Sequence, residues 1–258
     1  MNELPTRCTS SRRGIYLLPN LFTTGAMFAG FYAIVAAIDG YFAHAVVAVF
    51  VAAILDGLDG RIARLTHTQS EFGVQYDSLS DLVSFGLAPS LVLYTWSLAD
   101  LHHYGPVWGK IGWTAAFLYT ACAALRLARF NTQVGVIDKR YFQGLASPAA
   151  AGLVMSYVWA ASSLGFSGGT LVFLTLALIV PTGLLMVSRF RYISFKAWPV
   201  GEKVPFLAIL VVVLVLVALT IDPPRVLFVV FLLYVLSGPV WTIWVRATHR
   251  RRRRGTRA

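Results

Sequence analysis

Four carboxylates stand out in this sequence because they lie within or beside strongly apolar segments. They fall in the stretch DGLDGRIARLTHTQSEFGVQYDSLSD, at Asp56, Asp59, Asp77 and Asp81. Carboxylates near a bilayer core are costly, and they are rare unless they are paired, bind a metal or belong to a transport pathway. Converging carboxylates repel one another unless cations neutralise them. Oxygen ligands alone suit Mg²⁺, Mn²⁺ or Ca²⁺ better than Zn²⁺, so the stretch predicts a membrane-embedded site for divalent cations.

The spacing of these carboxylates indicates how they could meet. Within each pair, a separation of three or four residues places both side chains on one helical face. The linker 65–73 is short enough for an antiparallel hairpin that brings the two faces together. The stretch also contains the small residues Gly57, Gly60, Ala63 and Gly73. Small residues let a ligand approach the backbone, but the same pattern also promotes packing between helices, and both interpretations stay open.

Two arginines complete the motif. Arg64 can hold a phosphate in a forked geometry that a lysine matches less well. Either arginine could also serve only to anchor the helix at the membrane surface. We favour a ligand role for Arg64 and anchoring for Arg61, so the motif predicts a phosphate-bearing ligand beside the cations.

Composition identifies the environment of the motif. Of 258 residues, 57% are hydrophobic and 13% are charged, against about 25% charged in a soluble domain. So few polar residues could not cover a soluble core of this size, which favours an integral membrane protein. The net charge of +11 does not indicate nucleic-acid binding, because the basic residues lie between apolar runs and in the tail 247–258.

Eight segments have roughly the 20 residues that a helix needs to cross a bilayer. We expect an all-α polytopic bundle that forms a single membrane domain over residues 1–258, in which the hairpin 42–97 carries the carboxylates. The predicted spans are 16–38, 42–64, 74–97, 107–130, 146–165, 169–188, 204–221 and 225–246.

Basic residues predict the orientation of the bundle. They gather in alternate connections between the spans, whereas the other connections contain only Lys110 and Arg225. By the positive-inside rule the basic side is cytoplasmic. Both termini then face the cytoplasm, and the carboxylates lie at the cytoplasmic ends of the second and third spans.

The motif resembles the signature of the CDP-alcohol phosphotransferase family. The nine matching positions are Asp56-Gly57-x-Asp59-Gly60-x-x-Ala63-Arg64, then Gly73, Asp77 and Asp81. The resemblance implies an enzyme that breaks the pyrophosphate of a CDP-linked lipid, passes the phosphatidyl group to an alcohol and releases CMP. It also implies a six-helix catalytic core, followed here by two further helices, and a homodimer.

The resemblance further implies a role for each motif residue. Two divalent cations, Mg²⁺ or Mn²⁺, would lie between the carboxylates, with Asp56, Asp59 and Asp77 as ligands. Asp81 would be the general base toward the acceptor hydroxyl and would also reach a metal. The CDP site would be lined by Gly57, Gly60, Ala63, Arg64 and Gly73.

Other blocks are similar to the phosphatidylserine synthase branch of the family. They are Ser84-Phe85-Gly86-x-Ala88-Pro89, the run from Phe142 to Ala151, and the region from Met186 to Lys196. This similarity implies CDP-diacylglycerol and L-serine as substrates, within a membrane that we expect to be the bacterial inner membrane. Candidate contacts to serine or to the lipid phosphate, with membrane anchoring as the alternative, are Arg126, Arg129, Arg189, Arg191 and Lys196.

Two alternatives remain at this point. The same chemistry could use another acceptor, such as glycerol 3-phosphate, inositol phosphate or choline. The carboxylates could instead belong to a cation transporter, although such proteins often contain inverted repeats, and none is evident here.

Overall fold

The computed structural model describes residues 17–66, 70–133, 141–193 and 206–255. These residues are almost entirely helical, which confirms the predicted all-α membrane class. The helices are α1 (Leu17–Ile38), α2 (Phe42–Leu65), α3 (Glu71–Asp81), α4 (Ala88–Trp96), α5 (Pro106–Gln133), α6 (Ser147–Ser163), α7 (Val172–Val187), α8 (Phe206–Ile221) and α9 (Pro223–Gly255). A π-helical segment, Leu82–Leu87, joins α3 to α4, and 3₁₀ segments lie at Leu98–Tyr104 and Gly168–Leu171.

Five described helices are long and apolar enough to cross a membrane, namely α1, α2, α5, α7 with its 3₁₀ lead-in, and α9. The segment from Glu71 to Trp96 forms a sixth candidate together with Leu98–Tyr104, to which it is bent by 41°. α6 and α8 have 17 and 16 residues, fewer than the roughly 20 of a full span. The count of eight spans therefore stays a prediction.

α1 is the helix against which the site is assembled, because α2, α3 and α4 all pack on it. Its contact with α2 is lined by buried alanines, including Ala33, Ala36 and Ala45. Such small side chains let helix backbones approach closely in a membrane. At Gly30 a Cβ would lie 2.8 Å from the Cα of Ser84, so α1 also lies directly against the π-helical segment.

The π-helical segment has a local cause at Pro89. Proline has no backbone N–H and cannot donate to the carbonyl of Phe85, four residues earlier. That carbonyl instead accepts a hydrogen bond from the hydroxyl of Tyr119 at 3.3 Å, while the Ala88 N–H bonds the Val83 carbonyl, five residues back. The segment begins directly after Asp81, so it determines the orientation of α3, and with it the position of Asp81, relative to α4.

A short antiparallel ribbon, not foreseen from the sequence, precedes α6. Strands β1 (Tyr141–Gln143) and β2 (Arg191–Ile193) pair with Phe142 opposite Tyr192. Gly144 follows β1 with φ +84°, and a Cβ there would lie 2.3 Å from the Met186 carbonyl oxygen. Only glycine fits this turn, which delivers the chain into α6.

Candidate active site

The carboxylates of α2 and α3 meet, as their spacing predicted. One oxygen from each of Asp56, Asp59 and Asp77 lies within 4.8 Å of the others. The carboxyl group of Asp81 lies beside that of Asp56 and interacts electrostatically with it. The structure therefore brings all four predicted carboxylates into one cluster, formed by the C-terminal halves of α2 and α3.

Asp59 is the most buried of these carboxylates, with 4% of its surface exposed. Its Oδ2 accepts a hydrogen bond of 2.7 Å from the hydroxyl of Thr23 in α1. The Thr23 carbonyl in turn accepts a hydrogen bond of 3.0 Å from the Ser80 hydroxyl in α3. Thr23 thus joins the two helices that carry the carboxylates, and nothing in its sequence context predicted this role.

Two carboxylate oxygens in the cluster are buried without a hydrogen-bond partner among the described residues. They are Oδ1 of Asp77 and Oδ1 of Asp81. A buried, unpartnered carboxylate oxygen is unfavourable unless a cation or a donor satisfies it. Several carboxylate oxygens at this mutual distance form the hard, all-oxygen donor set that Mg²⁺ and Mn²⁺ prefer, so the residues fit divalent cations.

The glycines of α2 face open space beside the cluster. At Gly57 and Gly60, an added Cβ would meet no described atom within 4 Å. Packing against another helix in the described part of the chain is therefore not the reason for these glycines. Arg64 lies on this face, where its Nε donates to the Gly60 carbonyl at 2.7 Å. The face offers room for a ligand and a guanidinium at its edge.

The other two small residues of the motif differ from each other. Gly73 donates its N–H to the Ser70 hydroxyl at 3.0 Å, which caps the start of α3. A Cβ on Gly73 would lie 3.2 Å from that hydroxyl oxygen, so this glycine also has a local packing role. Ala63 lies in α2, and its side chain is outside the described part of the structure.

The candidate arginines have different positions. Arg126 of α5 is half-buried, interacts electrostatically with Asp81 and donates to the hydroxyl of Ser147. Arg129 donates to the Val187 carbonyl at 3.5 Å, and Arg189 is exposed. The side chain of Arg191 and all of Lys196 lie outside the described residues.

One further polar residue reaches the cluster without having been predicted. The side-chain amide of Asn131 in α5 donates to the hydroxyl of Ser78 at 2.9 Å, next to Asp77. This bond ties α5 to the carboxylate-bearing turn of α3. A signal was present in the sequence, since an amide side chain near the end of an apolar helix is unusual, but the spacing named no partner.

The fold and the cluster define a polytopic helical membrane protein whose grouped carboxylates can hold divalent cations. The sequence profile of the CDP-alcohol phosphatidyltransferase family matches residues 16–185, and the chain belongs to this family. The match runs from α1 to the end of α7. The family is in general dependent on divalent metals, which agrees with the oxygen donors found in the cluster.

Curated relatives include two that share one name and an archaeal enzyme with another. The chain is 40% identical to the CDP-diacylglycerol–serine O-phosphatidyltransferase of Helicobacter pylori strain J99, over 90% of this chain and 93% of the relative. It is 31% identical to the enzyme of the same name from Mycobacterium tuberculosis strain H37Rv, over 88% and 79%. The archaetidylserine synthase of Methanothermobacter thermautotrophicus is 34% identical over 54% and 57%.

Proposed function

We propose that this protein transfers the phosphatidyl group of CDP-diacylglycerol to the hydroxyl of L-serine, which gives phosphatidylserine and CMP. The observation that carries the proposal is the cluster formed by Asp56, Asp59, Asp77 and Asp81 in a chain of this family. The names of the relatives, both bacterial and archaeal, support serine as the acceptor.

The carboxylates would hold the cations that the chemistry requires. Asp56, Asp59 and Asp77 would be the principal ligands of two Mg²⁺ or Mn²⁺ ions, and Asp81 would also reach one of them. Bound divalent cations would offset the charge of the pyrophosphate and stabilise the leaving phosphate. The unpartnered Oδ1 of Asp77 supports this role, because it has no described donor to satisfy it.

The CDP moiety would lie along the open face of α2. Gly57 and Gly60 leave that face free of side chains, and Arg64 lies at its edge, where it can meet a phosphate oxygen. The motif residues Ala63 and Gly73 would border the same pocket. Large apolar side chains are exposed on both helices that carry the carboxylates, for example Leu58 on α2 and Leu79 on α3. The acyl chains can therefore stay in lipid while the nucleotide reaches the carboxylates.

Asp81 would act on the acceptor. Its Oδ1 has no described partner and can take the proton of the serine hydroxyl as the serine oxygen bonds to the phosphorus of the phosphatidyl group. The bond from that phosphorus to the bridging oxygen breaks, and CMP leaves with the electron pair. The proton stays on Asp81 until the products leave and then passes to water, which returns the carboxylate to its starting state.

The described basic side chain beside Asp81 supports serine rather than a phosphorylated acceptor. Among the described residues, Arg126 is the basic side chain with an electrostatic contact to Asp81. One guanidinium matches the single carboxylate of serine, whereas glycerol 3-phosphate or inositol phosphate calls for a denser basic pocket. Arg129, Arg189, Arg191 and Lys196 are further candidates for the acceptor or the lipid phosphate.

The proposal extends to the cellular setting. We place the protein in the bacterial inner membrane with both termini and the site on the cytoplasmic side, as the distribution of basic residues predicts. The basic tail 247–258 then lies at the cytoplasmic surface. The resemblance to the family further suggests a homodimer.

One experiment tests the reaction and the acceptor together. Purified protein receives CDP-diacylglycerol and Mn²⁺ or Mg²⁺, with serine, glycerol 3-phosphate or inositol phosphate offered in parallel, and CMP and lipid products are measured. We expect CMP release and phosphatidylserine only with serine, and none after chelation with EDTA. Release with another acceptor but not serine would overturn the acceptor assignment, and no CMP with any acceptor would overturn the reaction.

A further inference from the structure

An open groove lies between α5 and α7, and the proposed reaction does not use it. Its volume is about 710 Å³, within the roughly 300–1,000 Å³ of pockets that bind small molecules. Apolar side chains form both walls, for example Ile111 and Leu118 on α5 and Leu176 and Val180 on α7. No acidic side chain in the described part of the chain lines the groove. The groove therefore suits an apolar occupant, such as a hydrocarbon chain.

The groove extends through only half of the membrane. On α5 it reaches from Val107, near the start of the helix, to Leu118, which is about 17 Å along the helix axis. This is close to half of the roughly 30 Å hydrocarbon core of a bilayer. Asn131, which is bonded to the carboxylate-bearing α3, lies near the opposite end of α5. The groove thus lies in the leaflet opposite the carboxylates, and its length matches one acyl chain better than a partner helix that crosses the whole membrane.

The end of the groove near the start of α5 combines aromatic rings with a cation. The ring of Phe173, which lines the groove, lies 5.4 Å from the ring of Trp108 and 5.1 Å from that of Tyr104. Tryptophan and tyrosine gather where a bilayer meets water, which indicates that this end lies at the level of the lipid headgroups. Lys110 is the basic residue among the described lining residues, and it is exposed. Its long side chain lets the ammonium reach a phosphate at the membrane surface.

We propose that this groove binds an anionic phospholipid, with one acyl chain between α5 and α7 and the phosphate against Lys110. The apolar walls remove the chain from the surrounding lipid, and the ammonium complements the negative headgroup. A zwitterionic lipid carries a cation of its own beside the phosphate, so Lys110 attracts it less. Because the groove is separate from the carboxylates, this inference does not depend on the proposed function.

The test measures lipid binding to the full-length protein, purified in a neutral detergent and titrated with phosphatidylglycerol, by native mass spectrometry. We expect one phosphatidylglycerol molecule to bind more tightly than any others. Lys110→Gln should weaken its binding about fivefold, which is the contribution of one lysine near a membrane surface, and Lys110→Arg should retain it. Arg225→Gln is the matched control, because Arg225 lies near the start of α9 and does not line the groove. This control should bind the lipid as wild type does.

A second variant tests the place of the acyl chain. Ala177→Phe puts a bulky ring into the groove from α7 and should remove the tightly bound molecule. Leu184→Phe should not, because Leu184 is exposed on α7 beyond the groove. Lys110→Gln keeps the inference testable if Ala177→Phe does not fold.

Four results would each overturn the inference. They are an unchanged affinity in Lys110→Gln or in folded Ala177→Phe, equal weakening by Arg225→Gln, equal affinities of the wild type for phosphatidylglycerol and zwitterionic phosphatidylcholine, and a changed oligomeric state in Ala177→Phe with unchanged lipid affinity. The last result would assign the groove to a contact between copies of this chain.

Discussion

The hydrogen bond from Thr23 to Asp59 offers the sharpest test of the site, because the substitution alters no carboxylate. Thr23→Val keeps the shape of the side chain and removes the hydroxyl that donates to Asp59 at 2.7 Å. Thr23 is 4% exposed, so water cannot easily replace the lost donor. The carboxylate would lose the group that orients it toward the other ligands.

The size of the effect can be worked from this contact. A hydrogen bond to a charged group contributes about 1.5–3 kcal/mol, which corresponds to roughly 10- to 100-fold in an equilibrium constant. Loss of a partner that orients a metal-ligating side chain typically lowers metal affinity by a similar factor, about 10- to 100-fold. We therefore expect the Mn²⁺ concentration for half-maximal activity of Thr23→Val to rise by about one to two orders of magnitude.

The assay is CMP release at saturating CDP-diacylglycerol and serine, titrated with Mn²⁺. Thr23→Ser retains the hydroxyl and should stay near wild type. Thr114→Val is the matched control, because the Thr114 hydroxyl donates to a backbone carbonyl on an exposed part of α5. An unchanged Mn²⁺ requirement in a folded Thr23→Val protein would refute the view that this threonine positions a metal ligand.

Four further predictions follow from the site and its support. Asp81→Asn should abolish CMP release while CDP-diacylglycerol still binds, which a binding assay with the inactive variant checks; full turnover would exclude Asp81 as the base. Gly60→Val should raise the KM for CDP-diacylglycerol without lowering the melting temperature by more than a few degrees, since its Cβ meets no described atom; a large thermal loss with normal kinetics would assign this glycine to packing. Gly144→Ala should destabilise the fold by about 2–4 kcal/mol, because φ is +84° and a Cβ would lie 2.3 Å from a carbonyl oxygen; thermal unfolding measures it, and a wild-type melting temperature would count against the strained turn. Dialysis against EDTA should remove activity and Mn²⁺ should restore it, and retention of full activity after chelation would contradict a metal-dependent site.

The convergence of the carboxylates could be predicted because helical spacing alone determines it. Residues three or four apart share a face in any α-helix, so the pairs on α2 and α3 needed only a short connection to meet. The spacing did not show that both helices pack on α1, nor that Thr23 would bond Asp59 across 36 positions of sequence. A threonine in an apolar helix commonly bonds its own backbone, as Thr23 also does with Pro19, so its sequence context carries no sign of a distant partner.

The ribbon and the π-helical segment could not be predicted from the sequence, for a different reason. Three-residue strands are too short for an alternating pattern to be recognised. Pro89 removes a backbone donor from the third span, but the resulting geometry depends on Tyr119, which supplies a donor to the freed carbonyl of Phe85 from another helix. The bonding partners that decide such features come from distant parts of the chain.

For the small residues of the motif, the sequence left two interpretations open, which are close approach of a ligand and packing between helices. The structure bears on this choice at Gly57 and Gly60. Glycines that serve packing in this protein have close neighbours, as at Gly30, where a Cβ would lie 2.8 Å from the Ser84 backbone, and at Gly183, where it would lie 3.2 Å from that of Tyr119. At Gly57 and Gly60 the same test finds no described atom within 4 Å. Glycine weakens a helix by roughly 1 kcal/mol relative to alanine, so two glycines one turn apart lower the stability of α2 without a compensating contact in the described part of the chain. The nucleotide site proposed above gives these glycines a role, and it agrees with their position on the same turn of α2 as Asp56 and Asp59.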